Sequence, residues 1–250
     1  MGKKLIYLVL TLILCNGVLA TNPPENEKLK LSADFVTRHF WRGNMSGSKP
    51  CIQPTVTYSN KNFSACLWGS YTFDRSYEEI DLILGYKLGK YFQLGVADYF
   101  EYDGNDELNP FDYKKSTTPH WIDANIKFKG TKAFPISIMF SSIVYGYRVP
   151  NGESNAGESK LSNYVELGYA TKIGSKGVKF EFGFAPNGDS YTRVVREGKK
   201  YENNKFAVVN LGLKITDKIE FKNYKLPIKA SVICNPYKET INFAFGFTLR

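Results

Sequence analysis

Few residues in this chain are equipped for covalent chemistry, and their spacing does not support it. There are two histidines, His39 and His120, far apart in the sequence. A metal centre needs His, Cys and carboxylates brought together, and no spacing here predicts that. A barrel enzyme could use a Ser–His pair with a polar orienting group to make a nucleophile, but nothing ties either histidine to a particular serine. His39 is flanked by Phe40 and Trp41, and His120 precedes Trp121 at a predicted strand start; both read as interface residues. No glycine-rich phosphate loop is placed between a strand and a helix. The expectation is a protein that is not an enzyme and uses neither metal nor cofactor.

The polar residues of interest are instead charges recurring at every second position among large apolar ones. Asp81, Lys87, Glu166, Lys179, Glu181 and Lys229 all fall on the less apolar face of a predicted strand. Charges of both signs inside a barrel either set a transverse field for hydrated solutes or pair and close the bore. The sequence leaves both open, because width depends on strand number and on loops that fold inward.

The elements carrying these charges show period-two patterning. The clearest is the last: Ile241, Phe243, Phe245, Phe247 and Leu249 share one face, and Asn242, Ala244, Gly246, Thr248 and Arg250 the other. Ile52-Pro54-Val56-Tyr58, Ile80-Leu82-Leu84-Tyr86, Val178-Phe180-Phe182-Phe184 and Leu226-Ile228-Ala230-Val232 repeat it. A large apolar face opposed by small and polar residues suits a lipid-facing wall around a wet interior. Twelve strands are predicted, at roughly 28–38, 50–59, 62–73, 77–88, 90–102, 120–129, 134–147, 160–173, 177–186, 205–216, 219–234 and 237–250. Asp98 interrupts its apolar face, and a bulge is expected near there. Tight turns at Asn60-Lys61, Gly89-Lys90, Gly130-Thr131-Lys132 and Gly174-Ser175-Lys176 alternate along most of the chain with long polar links at 39–49, 103–119, 148–159 and 187–204, while the links at 74–76 and 235–236 are short for external loops. One brief and one extended rim is the pattern of an outer-membrane barrel. The predicted fold is therefore all-β, a single transmembrane antiparallel up-and-down β-barrel of about twelve strands, with both termini on the periplasmic side.

Residues 1–20 read as an export signal, and 21–250 as the barrel. Lys3 and Lys4 precede the apolar run Leu5 to Leu14, and Val18-Leu19-Ala20 is a small-residue cleavage site. That run is too short for a transmembrane helix. A lipoprotein signal ending at Cys15 is ranked lower, because Leu14 stands where a small residue is expected. The residues between Ala20 and the first strand are too few for a plug domain. Mean hydropathy of −0.31 does not oppose a membrane barrel, whose hydrophobicity is hidden by alternation. Aromatic content of 15% suits strands and interface girdles.

Without Lys3 and Lys4, 31 basic residues face 24 acidic ones. The surplus favours anionic partners or reflects ordinary Lys-rich loops, and the absence of a basic run of five or more favours the second. Cys51, Cys66 and Cys234 remain after export, an odd count matching no zinc site. The Asn60-Lys61 turn would set Cys66 opposite Thr55, so a disulfide is not favoured.

Residues 33–59, ADFVTRHFWRGNMSGSKPCIQPTVTYS, run from a first strand through an aromatic-Arg-Gly corner to a Pro-x-Ile-Gln-like second strand. This segment, with FSACLWGS at 63–70 and the strand Tyr164-Val165-Glu166-Leu167-Gly168-Tyr169, resembles the TorF-type porin family of outer-membrane barrels. The motif positions are Phe40, Trp41, Arg42, Gly43, Pro50, Ile52 and Gln53. The resemblance implies pore activity with an unassigned substrate. Arg42 is read as bracing the first loop against the lumen while Gly43 turns the chain, with solute contact as the alternative. The chain departs from the usual aromatic C-terminus of such barrels, ending Phe247-Thr248-Leu249-Arg250.

The expected function is a porin-like channel for passive diffusion of small hydrophilic solutes or ions. The alternative is a closed-bore barrel acting as a surface binding or structural protein through its extracellular loops. A lipid-modifying barrel enzyme and a soluble lipocalin-type barrel are weaker readings. Expected partners are outer-membrane lipid, small polar solutes and the barrel-assembly machinery, with no nucleic acid.

Overall fold

The computed structural model describes residues 27–102, 109–114, 117–146, 161–187, 195–196, 199–200 and 206–250. The expected export signal at 1–20, Cys15 and much of the three later long links lie outside the described residues. Twelve strands form a closed antiparallel barrel. In chain order they are β1 (Glu27–Val36), β2 (Cys51–Asn60), β3 (Phe63–Thr72), β4 (Glu78–Leu88), β5 (Phe92–Tyr102), β6 (His120–Phe128), β7 (Ile136–Tyr145), β8 (Ser162–Ile173), β9 (Lys176–Ala185), β10 (Ala207–Glu220), β11 (Lys225–Asn235) and β12 (Thr240–Leu249). Each pairs with its sequence neighbours, and β1 closes the sheet on β12. The described residues contain no helix.

Alternation decides which side chains face outward. On β12, Ile241, Phe243, Phe245, Phe247 and Leu249 are all exposed. Leu82 and Leu84 on β4, Leu94 and Val96 on β5, Phe180 and Phe182 on β9, and Leu211 and Ile215 on β10 continue that surface. In water this much contiguous apolar area would be unstable to association. At the short-turn rim, the rings of Tyr91, Phe92, Phe128 and Phe134 gather at centroid separations of 5.4–6.4 Å.

The seam between β1 and β12 is short, running from Ala33 opposite Leu249 to Val36 opposite Gly246. Side chains reinforce it on both faces. Outside, the Phe35 and Phe247 rings stack at 5.0 Å. Inside, Asp34 pairs with Lys229 and accepts from the Thr248 hydroxyl. Closure leaves no open edge along this seam, as strands in an apolar medium require.

Several boundaries differ from the sequence expectation. The β2–β3 hairpin turns at Lys61-Asn62, with Asn60 opposite Phe63, so Cys66 faces Thr57 and not Thr55. The two registers differ by two residues, which preserves every side chain's face. Cys51, Cys66 and Cys234 are free thiols. The tenth strand continues through Asp217 to Glu220, and the turn falls at 221–224, where Phe221 and Tyr224 exchange backbone hydrogen bonds. Asp98 itself stays in register with both Leu82 and Ile122, and the irregularity expected near it falls just beyond its partner Ile122. It is a register shift between β6 and β7 at Ile122/Asp123, and β9 and β10 shift likewise at Gly183/Phe184.

The largest departure concerns the first link, expected as an external loop over 39–49. It contains a hairpin of its own, His39–Trp41 paired with Asn44–Gly47, that folds into the barrel.

Candidate functional site

The inward hairpin is made by its turn. Arg42 and Gly43 are its two central residues, between paired Trp41 and Asn44, and both have positive φ, 48° and 80°. That is the type I′ combination matching the twist of a two-residue hairpin, for which Asn-Gly is the low-cost sequence. An arginine in the left-handed region is unfavourable locally. Its tertiary contacts offset this.

Arg42 Nη1 lies 2.9 Å from Asp123 Oδ2 on β6, and both side chains are nearly or fully buried. Its guanidinium sits 4.5 Å from the centroid of Trp41 and 5.0 Å from that of Tyr164 on β8. Trp41 meets the Tyr99 ring of β5 edge-on at 5.6 Å. Asn235 of β11 donates to the Gly43 carbonyl at 3.3 Å. Gly43 lies so close to β10 that an added Cβ would strike the Val209 carbonyl, with Asn210 Cα 2.9 Å away. Contacts with β5, β6, β8, β10 and β11 from a hairpin rooted between β1 and β2 mean that it crosses the bore.

The stem is anchored on the opposite side. Gln53 on β2 donates from Nε2 to His39 Nδ1 at 3.0 Å, leaving Nε2 of the ring 3.3 Å from Glu79 Oε2 on β4. Tyr77 donates its hydroxyl to Glu79 at 2.8 Å. Burial, with the negative charge of Glu101 and Glu79, holds that phenol far above its ordinary titration range, so it remains a donor. His39 was expected at an interface. It is buried inside the barrel, because the loop bearing it folds inward.

Under the hairpin lies a cavity of about 270 Å³ lined by Arg38, Phe40, Arg42, Gln53, Glu166, Glu181, Lys214 and Lys229 among others. Lys179 pairs with Glu181 and lies 3.8 Å from Glu166. Facing glycines leave space for these long side chains: a Cβ on Gly212 would stand 3.0 Å from Glu181 Oε2, and one on Gly246 3.1 Å from Lys229 Cε. Asp81 faces the lumen from β4 and is buried, whereas Lys87 is exposed near the short-turn rim. Pro50 precedes β2 and accepts from Phe73 N at 3.1 Å.

The chain matches no protein-family model and no curated protein sequence. The site therefore has to be read from its own geometry. Asp123, Glu79, Tyr77, Asn235, Lys127 and Lys214 were not among the residues singled out from sequence. Strand parity was the signal available for the strand residues among them. The Trp-Arg-Gly-Asn string was the signal for the buried hairpin.

His120 has a second, separate environment. It lies on the outer face at the long-link rim, with Nδ1 2.8 Å from Asp98 Oδ1 and Nε2 3.0 Å from the Pro110 carbonyl oxygen. Both neighbours are oxygen acceptors. Tyr113 stacks on the ring at 4.1 Å and donates to Asp98 at 2.6 Å. The segment carrying Pro110 and Tyr113 thus covers the polar pair where the apolar face breaks. With both nitrogens occupied by carboxylate and carbonyl, His120 has no free position from which to activate a nucleophile.

The Tyr113 phenol is pushed up to about 12, chiefly by its hydrogen bond to Asp98 and then by burial. The folded value exceeds the ordinary 10.0, so the clamp's contribution is complete below that value and is lost as pH rises through about 12. A tyrosinate absorbance titration of Tyr113→Phe should lack one phenol that titrates near pH 12 in the wild type. An unchanged titration in that variant would contradict the clamp.

Proposed function

We propose that this protein is an outer-membrane, porin-like channel in which small hydrophilic solutes diffuse passively through a lumen constricted by its own first hairpin. The observation that carries the reading is the segregation of side chains. Large apolar groups cover the outside of a closed sheet, while charges of both signs surround a cavity of about 270 Å³ within it. Such a wall is stable in hydrocarbon and wet inside. Passive passage uses no cofactor and no covalent chemistry. The signal-like residues 1–20 and the resemblance to TorF-type porins agree with export to the outer membrane. Lipid and the assembly machinery would be the partners on the way. A hairpin held across the bore by ion pairs and aromatic contacts would act as a size filter.

A second reading, a closed barrel that binds partners through its external links, is favoured by one observation, the burial of the Arg42–Asp123 pair. Planar-bilayer recording separates the two. A steady current from the reconstituted barrel supports the channel. A correctly folded barrel that passes no current, even after the hairpin is destabilised, supports the second reading.

Lipid exposure has its own test. Phe245, midway along β12, is exposed. Phe245→Arg should destabilise the bilayer-inserted barrel by roughly 2–4 kcal/mol, the range for a cation at mid-bilayer depth, read from denaturant titration in vesicles. The same substitution at Leu249, near the rim, should cost markedly less. Equal costs at both positions would argue against a lipid-facing wall.

A further inference from the structure

We propose that the lumen selects small anions, at a subsite on the β8–β11 wall beneath the hairpin, with Lys214 as the main determinant. The inference rests on the channel reading and deepens it.

The argument begins with which charges face the cavity. The acidic wall does not. Glu79 and Asp81 are buried and, like Glu101, do not line the cavity, and Glu79 is occupied by Tyr77 and His39. On the cavity side, Arg42 is matched by Asp123, Lys229 by Asp34, and Lys179 by Glu181 and Glu166. Two lining cations remain, Lys214 and Arg38. Among the described residues neither of them has a carboxylate within ion-pair distance. Arg38 donates to the neutral Asn242 amide at 3.2 Å.

Register sharpens the point. Lys214 on β10 stands directly opposite Lys179 on β9, on the same inward face. Like charges in that position oppose pairing. Lys179 already has Glu181 and Glu166, so a small anion here is held by Lys214, with the Arg38 guanidinium of the hairpin stem lining the same cavity. Carboxylates and inorganic anions share this chemistry. A narrow, low-dielectric-walled lumen focuses such surplus positive charge on a passing ion.

The test is the reversal potential of the reconstituted full barrel in a potassium chloride gradient. The wild type should favour chloride over potassium. Lys214→Glu should lower that preference by about 3- to 10-fold, the effect of shifting a confined potential by one to two kT. Lys214→Gln should give an intermediate value. Lys222→Glu, the same charge change in the 221–224 turn away from the cavity, should leave the preference nearly unchanged. Heat-modifiable electrophoretic mobility confirms that each variant is folded. A cation-selective wild type, or a Lys222 effect as large as that of Lys214, overturns anion selection while the channel stands. No current from either the wild type or a hairpin-displaced variant overturns the channel and this inference together.

Discussion

Gly43→Val should raise the barrel's conductance several-fold while leaving it folded. Residue 43 has φ of 80°, and any side chain there would collide with the backbone of β10 at Val209 and Asn210. A barrel strand cannot yield as a flexible side chain can. The clash and the left-handed backbone together disfavour the seated hairpin by roughly 3 kcal/mol or more. The hairpin belongs to a link and not to the closed sheet, so it can leave its seat without breaking a barrel strand pair. Bilayer recording measures the opening, and heat-modifiable mobility confirms the barrel. A variant that seats its hairpin and conducts like the wild type would remove the plug from the proposal.

The second large effect concerns the pair beneath that turn. Asp123→Ala leaves the Arg42 guanidinium buried without its counter-charge, and it also deprives Ser141 and Asn125 of their acceptor. Removing one partner of a buried pair costs about 3–5 kcal/mol, because the remaining charge has neither water nor partner. Replacing both, as in Arg42→Met with Asp123→Leu, should recover much of that loss, since neither desolvated charge is then present. The measurement is a double-mutant cycle on denaturant unfolding, with conductance alongside. Additive single-variant losses would mean that the two residues do not act as a pair. A rise in conductance for Asp123→Ala, partly reversed in the double variant, would tie the pair to the position of the hairpin.

The barrel was legible because alternation is a local property. Phe243, Phe245 and Phe247 announce an outward face wherever β12 sits, and Asp81, Glu166, Lys179, Glu181 and Lys229 announce the inward one. Register was less legible. Placing the β2–β3 turn at Asn60-Lys61 or at Lys61-Asn62 gives the same faces, and only the paired backbone distinguishes them. Asp98 illustrates another limit. A polar residue on an apolar face has several remedies, and here the remedy is the link between β5 and β6, which brings Tyr113 and Pro110 over the Asp98–His120 pair.

What the sequence by itself determined is the kind of wall: twelve alternating segments with apolar groups on one side and charges on the other. Period-two patterning fixes that through side-chain direction alone. Whether the wall encloses an open bore was decided by the tertiary structure. The hairpin around Arg42 and Gly43 gains its burial, its ion pair and its close packing from β5, β6, β8, β10 and β11, strands remote in the chain. Only the closed barrel brings Asp123 within 2.9 Å of Arg42. Interactions between such distant segments leave no periodic trace in the sequence, because they depend on the diameter and register of a sheet that exists only once it has closed.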